Sequence, residues 1–244
     1  MNQYETFYQL HHQQKPLIIA NAWNVKSAQL IEQNGYNAIG TSSGAISNSL
    51  GYEDGEKIPF SELLYIIRRI KASTNIPLSV DMERGHLELA ENIQKLADIG
   101  VAGINLEDAQ GEEIFLKKLD TVKNHLEKNN LKIFINARTD GFLQKIAAPV
   151  ETTIKRAKMY QDAGADGLFV TGISDASIIK EISAAISLPL NIVGTPNLSS
   201  IKSLSECGVR RISMAVFLYR ATYNNLDRLL KSVTAEQSFE PLLK

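Results

Sequence analysis

The sequence predicts an α/β fold, specifically a (β/α)8 TIM barrel, on three observations. Eight short apolar runs rich in β-formers recur along the 244 residues, and helical patterns separate them. The runs are apolar on both faces, which signals parallel strands covered by helices. The helix-to-strand joints also share one form: NGYNAIG, IGVAGIN, AGADGLF and CGVRRIS each end a helix and launch a strand. Eight such units close naturally into a barrel.

In chain order the predicted strands are PLIIANAW (16–23), AIGTSS (38–43), LSVDME (78–83), GINLED (103–108), IFINART (133–139), GLFVTG (167–172), LNIVG (190–194) and RISMAV (211–216). Helices are expected over 25–34, 59–73, 87–99, 112–129, 152–163, 175–186, 197–207 and 217–231, several followed by a glycine stop at Gly35, Gly100, Gly164 or Gly208. Residues 4–12 are read as a short helix under the barrel, and 232–244 as a tail able to pack on a partner subunit. The polar, Gly- and Ser-rich stretch 41–58 is read as a long loop, and loops of that length are usually functional or disordered. An open doubly wound sheet would want a glycine-rich phosphate turn after its first strand, and ANAWNVKS is not one. No linker or low-complexity tract divides the chain, so a single domain over 1–244 is expected.

Composition narrows the partners. With 26 basic and 27 acidic residues the net charge is −1, which gives no electrostatic footprint for nucleic acid. Hydrophobic residues make up 44%, ample for a core, yet no run approaches the ~20 apolar residues of a membrane span. The start, MNQYETFYQLHH, lacks the pattern of a signal peptide, and the single cysteine, Cys207, excludes an intrachain disulfide and fits a reducing compartment. The expectation is a cytoplasmic protein that binds a small molecule.

Barrel enzymes place chemistry at the C-terminal ends of their strands. There the sequence offers Asn21 and Trp23, then Ser42 and Ser43, then Asp81 and Glu83, then Glu107 and Asp108, then Asn136, Arg138 and Asp140. Residues two apart on a strand share a face, so Asp81 and Glu83 are expected to point together with Glu107 opposite them. Three such carboxylates would repel one another unless a hard cation bound them, so the set reads as a Mg²⁺ site, with Mn²⁺ as the alternative ion. Arg138, on the face of Asn136, has a fork of donors suited to a carboxylate or phosphoryl group. With the backbone N–H groups of Ser42 and Ser43 it could hold the anionic end of a 2-oxo acid. Trp23 is placed at the barrel mouth, as packing or as an aromatic wall beside substrate. Asp108 and Asp140 are read as helix caps turned away from the site. The four histidines share no metal-ligand spacing, which argues against zinc.

The segments NAWNVKSAQLIEQNGYNAIGTSSGAISNSLGYEDG, SVDMERG, GINLEDA and NARTD together resemble the isocitrate lyase/phosphoenolpyruvate mutase superfamily over about residues 15–222, most closely its short phosphonomutase-like members. The resemblance implies a barrel, often with an exchanged C-terminal helix, in homodimers or homotetramers. By motif, Asp81, Glu83 and Glu107 match the metal-binding acids, Ser42, Ser43 and Gly44 the loop that holds the substrate carboxylate, Arg138 the strand-5 arginine and Asp54 the aspartate of a gating loop. The implied chemistry stabilises an enolate of a 2-oxo acid, with Arg138, Asp54 and Glu107 as catalytic groups. Against this pattern, the stretch EDAQGEEIFLKKLD carries no Lys-Lys-Cys-Gly-His lid, which disfavours isocitrate and methylisocitrate cleavage. It offers only Lys117 and Lys118 as phosphoryl ligands, and Thr171 and Gly172 stand where relatives often have histidine. The expected activity is Mg²⁺-dependent carbon–carbon lyase or decarboxylase chemistry on a small 2-oxo or 2-hydroxy dicarboxylate. The alternatives are P–C bond chemistry on a phosphonopyruvate-like substrate, or a silent metabolite-binding or scaffold barrel.

Overall fold

Eight parallel strands pair in sequence order and the eighth closes on the first. The structure, a computed structural model, describes residues 2–198 and 200–243; Met1, Ser199 and Lys244, inside the expected 1–244 domain, lie outside them. In order the elements are α1 (Gln3–His11), β1 (Leu17–Ala22), α2 (Val25–Gln33), β2 (Ile39–Thr41), α3 (Ser43–Ser49), α4 (Phe60–Lys71), β3 (Leu78–Asp81), α5 (Leu89–Asp98), β4 (Gly103–Glu107), α6 (Glu112–Lys128), β5 (Phe134–Thr139), α7 (Pro149–Asp162), β6 (Gly167–Val170), α8 (Ala176–Ala185), β7 (Leu190–Val193), α9 (Ile201–Glu206), β8 (Arg211–Ser213) and α10 (Phe217–Glu236). This is the (β/α)8 barrel the sequence predicts.

The joints work as anticipated. Gly35, Gly100, Gly164 and Gly208 all take positive φ just past a helix, a conformation that costs glycine nothing and lets the chain turn directly into the next strand. Apolar residues on the outer strand faces, such as Ile39, Val80, Ile104 and Leu168, pack against the helices in one continuous core.

α1 plugs the N-terminal end of the barrel. Its Asn2 cap accepts from Glu5 N, and Phe7 is driven into a cluster with Leu17, Ile19, Ala38 and Phe134. A Cβ on Gly103 would lie 2.6 Å from the Phe7 ring, so glycine there admits the plug. Burying Phe7 contributes on the order of 2–3 kcal/mol.

Several expectations change in detail. The 41–58 stretch is not all loop, since α3 forms within it; its Ser, Gly and Asn residues conceal the apolar pair Ala45 and Ile46 that anchors it. α7 starts earlier than expected because Pro149 is pre-set for a first turn. α9 is shorter, the chain first making a 3-10 turn over Pro196–Leu198. α10 runs to Glu236, into the expected tail. No helix among the described residues is long and apolar enough to cross a membrane.

Candidate active site

A cavity of about 450 Å³ opens at the C-terminal ends of the strands, the end where barrels carry their chemistry. Ser42, Ser43, Gly44, Asp54, Asp81 and Arg138 line it, joined by Asn21, Asn105, Thr171 and Arg220.

α3 brings the serines there. Ser42 caps the helix through its side chain, but its N–H is spent on the Ala22 carbonyl at 3.2 Å, which removes it from the expected pair of anion-binding amides. Ser43 instead grips Asp81, with Oγ donating to Oδ2 at 2.8 Å and N at 3.4 Å. Gly44 matters by lacking a side chain: its Cβ would stand 3.0 Å from Asp54 Oδ2, so glycine lets the 50–57 segment fold Asp54 against α3.

Of the three expected metal acids only Asp81 lines the cavity, and Glu83 is placed by a route strand parity did not describe. β3 ends at Asp81, and Glu83 sits in a turn at φ 50°, a sparsely populated conformation for a non-glycine residue. The Glu83 carbonyl accepts from Glu107 N at 2.8 Å, tying the turn to the end of β4. Burial, reinforced by the charges of Asp81 and Asp54, raises the Glu83 carboxyl to about 8. Burial likewise raises Glu107 to about 7, although Arg138 Nη1 pairs with it at 3.0 Å and pulls the other way.

Asp140 is the main correction. It follows Arg138 by two residues, shares its face, and is not a cap turned away. Its carboxylate takes both Nε and Nη2 of Arg138, at 2.8 and 2.9 Å, and accepts Thr171 Oγ1 at 2.5 Å. Burial alone would lower the Arg138 guanidinium, but Asp81, Asp140 and Glu107 together raise it above its ordinary value. Arg138 is therefore a fixed cation clamped between Glu107 and Asp140. Asp108 does turn outward, to Arg156 at 2.9 Å and Tyr160 at 2.7 Å.

Two expected substrate contacts fall outside the cavity. Trp23 packs edge-on against Tyr219, centroids 5.2 Å apart, on the wall of an apolar groove beneath α10. Asn136 lies one layer deeper, donating to Asn105 Oδ1 at 2.9 Å. Lys117 pairs with Glu113, and Lys118 Nζ donates to the Arg84 carbonyl and to Gln110, so neither lines the cavity. α6 begins four residues after Asp108, leaving no room for a lid between β4 and α6. Asn105 and Arg220 were missed and Asp140 was misread; for Asn105 and Asp140 the signal was present, as each is a polar residue two positions from a recognised site residue.

The donor set suits a hard divalent cation. Asp81 Oδ1 and Glu83 Oε1 are sealed from solvent with no hydrogen-bond donor. Such orphaned acidic oxygens, in a group whose members raise one another's proton affinity, call for positive charge. Among the described residues, however, no three His, Cys, Asp or Glu side chains stand together as a ready metal cage.

Comparison with known proteins places the chain in a family. The sequence pattern of the phosphoenolpyruvate phosphomutase family matches residues 7–234. A Mycobacterium tuberculosis protein is 35% identical over 218 residues, 88% of this chain and 84% of that one. The oxaloacetate decarboxylase of Pseudomonas fluorescens is 28% identical, covering 85% and 78%. A Burkholderia cenocepacia crystal structure, provisionally assigned as a phosphonomutase, superposes with a TM-score of 0.89 at 30% identity, covering 94% of this chain and 99% of that one. The chain belongs to the phosphoenolpyruvate phosphomutase family, whose members are lyases and mutases.

Proposed function

We propose that this protein is a Mg²⁺-dependent lyase or decarboxylase that cleaves a carbon–carbon bond in a small 2-oxo or 2-hydroxy dicarboxylate through an enolate-like anion. The observation that carries the reading is one clamped arginine, Arg138, set against a surplus of buried carboxylates around a cavity sized for a small ligand. Asp81, Glu83 and Glu107 would hold Mg²⁺, or Mn²⁺ in its place, and the ion would supply positive charge where negative charge develops as the bond breaks.

The chain's own groups do the rest. Arg138, its fork already oriented by Asp140, presents the N–H edge not used by its acids to the substrate's anionic end. Ser43 holds Asp81 in place. Asp54 belongs to the 50–57 segment that closes over α3, where it can exclude water and move a proton. At the rim Arg220 lines the cavity and has no ion pair among the described residues, which supports a second carboxylate on the substrate.

The family description favours a second reading, P–C bond chemistry on a phosphonopyruvate-like substrate. It needs ligands for a moving phosphoryl group, and the two lysines available after β4 are committed elsewhere. A homodimer or homotetramer is supported by apolar side chains left exposed near the C-terminus, among them Leu226, Leu230, Phe239 and Leu243.

Oxalate, a stable mimic of the enolate, tests the site. Calorimetric titration should show oxalate binding that requires Mg²⁺. Absence of metal-dependent oxalate binding would remove both enzyme readings and leave a silent metabolite-binding barrel.

A further inference from the structure

Beneath the cavity the barrel interior is polar, where such barrels are ordinarily filled by branched apolar side chains. Ser79, Asn105, Asn136, Asn191 and Arg211 are all buried there, and Arg211 is only 1% exposed. Among the described residues Arg211 has no ion pair. Its Nη2 donates instead to Asn105 Oδ1 at 3.3 Å and, more weakly, to Ser79 Oγ at 3.5 Å. Its Nε and Nη1 have no hydrogen-bond partner, and the guanidinium otherwise lies over the Phe7 ring, 5.8 Å from its centroid. A charge buried on such terms is not explained by the stability it confers.

Its effect on Asn105 is specific. A guanidinium can only donate, so the Asn105 atom that faces it is the oxygen and not the nitrogen. The same oxygen also accepts from Asn136 Nδ2 at 2.9 Å. An asparagine at a cavity floor could ordinarily offer either end of its amide. Here both acceptor positions of Oδ1 are taken from below, which leaves Nδ2 as the end presented upward. Nδ2 has no protein acceptor among the described residues, it is not among the sealed unpartnered atoms, and Asn105 lines the cavity. It is a free donor on the floor of an anion site.

We propose that Asn105 is a substrate-binding residue, donating from Nδ2 to an oxygen of the oxalate-like end of the substrate, and that Arg211 is the positioning residue that locks the Asn105 amide in donor orientation. This deepens the 2-oxo acid reading of the site and rests on it. The chemistry selected is an oxygen acceptor beside Asn105 in the cavity, as in a carboxylate or an enolate.

The test is oxalate titration in saturating Mg²⁺, with thermal unfolding recorded for every variant. Asn105→Ala should weaken oxalate about tenfold, the loss of one hydrogen bond to a charged group. Asn105→Asp should weaken it further by placing a like charge against the ligand. Arg211→Lys, still a pure donor, should keep most of the affinity. Arg211→Gln, which can turn either end of its amide to Asn105, should lose several-fold, and Arg211→Met at least as much. The loss should vanish when Asn105 is already alanine, so that Asn105→Ala/Arg211→Gln binds no more weakly than Asn105→Ala. If Arg211→Met does not fold, the glutamine and lysine variants carry the same cycle. Wild-type affinity in Asn105→Ala would overturn the assignment of Asn105. Additive losses in the double variant, or an Arg211→Lys no better than Arg211→Gln, would overturn that of Arg211. A wild-type protein that fails to bind oxalate would instead refute the site reading itself, and is thereby told apart.

Discussion

His11 should make the barrel acid-sensitive in a calculable way. Its imidazole is 1% exposed, stacked on Phe134 with centroids 4.1 Å apart and edge-on to Phe7 at 4.6 Å. Burial, helped by the positive charge of Arg211 and opposed by the Phe7 carbonyl, lowers it from 6.5 to about 3. The unfolded chain therefore takes up a proton below pH 6.5 that the folded chain refuses until about pH 3, and stability falls as the pH drops through that window. Integrating the difference gives a loss of about 1.4 kcal/mol at pH 5.5 and about 2.7 kcal/mol at pH 4.5, relative to pH 7.5. Asp166 works in the opposite sense. Burial raises its carboxyl to about 6, so the folded chain binds that proton first and gains stability as pH falls from 6 towards 3.8. The comparison must therefore be with a variant that keeps Asp166. Urea unfolding of wild type and His11→Leu at pH 7.5, 5.5 and 4.5 isolates the term. The variant should gain on wild type by the amounts given. A stability difference that stays constant across the three pH values would refute the burial of a neutral His11 beneath the barrel.

Other consequences concern the site. Asp140→Asn replaces a carboxylate whose two oxygens each take one guanidinium donor by a neutral amide with a single acceptor oxygen, and should cost about 2–4 kcal/mol in urea unfolding; a change under about 0.5 kcal/mol would show that the clamp on Arg138 is not formed. Arg220→Ala should raise KM for a dicarboxylate about tenfold while leaving the oxalate Kd unchanged, because only the longer ligand reaches the rim; equal effects on both would move Arg220 out of that role. Gly44→Ala should push Asp54 off α3, since its new Cβ would stand 3.0 Å from the carboxylate. Limited proteolysis should then cut the 50–57 segment faster than in wild type, and an unchanged rate would mean that the segment does not rest on Gly44.

The barrel was legible because its strands are short runs buried on both faces, and burial writes itself into composition. The helix stops were legible because positive φ selects glycine. Other features failed for identifiable reasons. α3 shows no helical period in its Ser-, Gly- and Asn-rich sequence, since it is held by two apolar residues and a serine cap. Glu83 reached the acidic group through a turn at positive φ, a conformation that alternation along a strand cannot represent. Asp140 was misassigned although parity, applied consistently, places it with Arg138. Trp23 illustrates a deeper limit: a residue after a strand can face the cavity or the helix layer, and the packing of Tyr219 decides. The polar layer of Asn105, Asn136, Asn191 and Arg211 was hidden because these residues lie singly within otherwise apolar strands, where each alone looks incidental. Ser42 shows that a motif match names a loop without telling which of its N–H groups are already spent.

The central claim is tested most directly by following pyruvate release from a panel of oxaloacetate, methylisocitrate, acylpyruvates and phosphonopyruvate, with Mg²⁺ and with EDTA, for wild type and Arg138→Ala. The account predicts Mg²⁺-dependent pyruvate formation from a 2-oxo or 2-hydroxy dicarboxylate, lost in EDTA and in the variant. Release from phosphonopyruvate alone, or activity indifferent to both Mg²⁺ and Arg138, would contradict it.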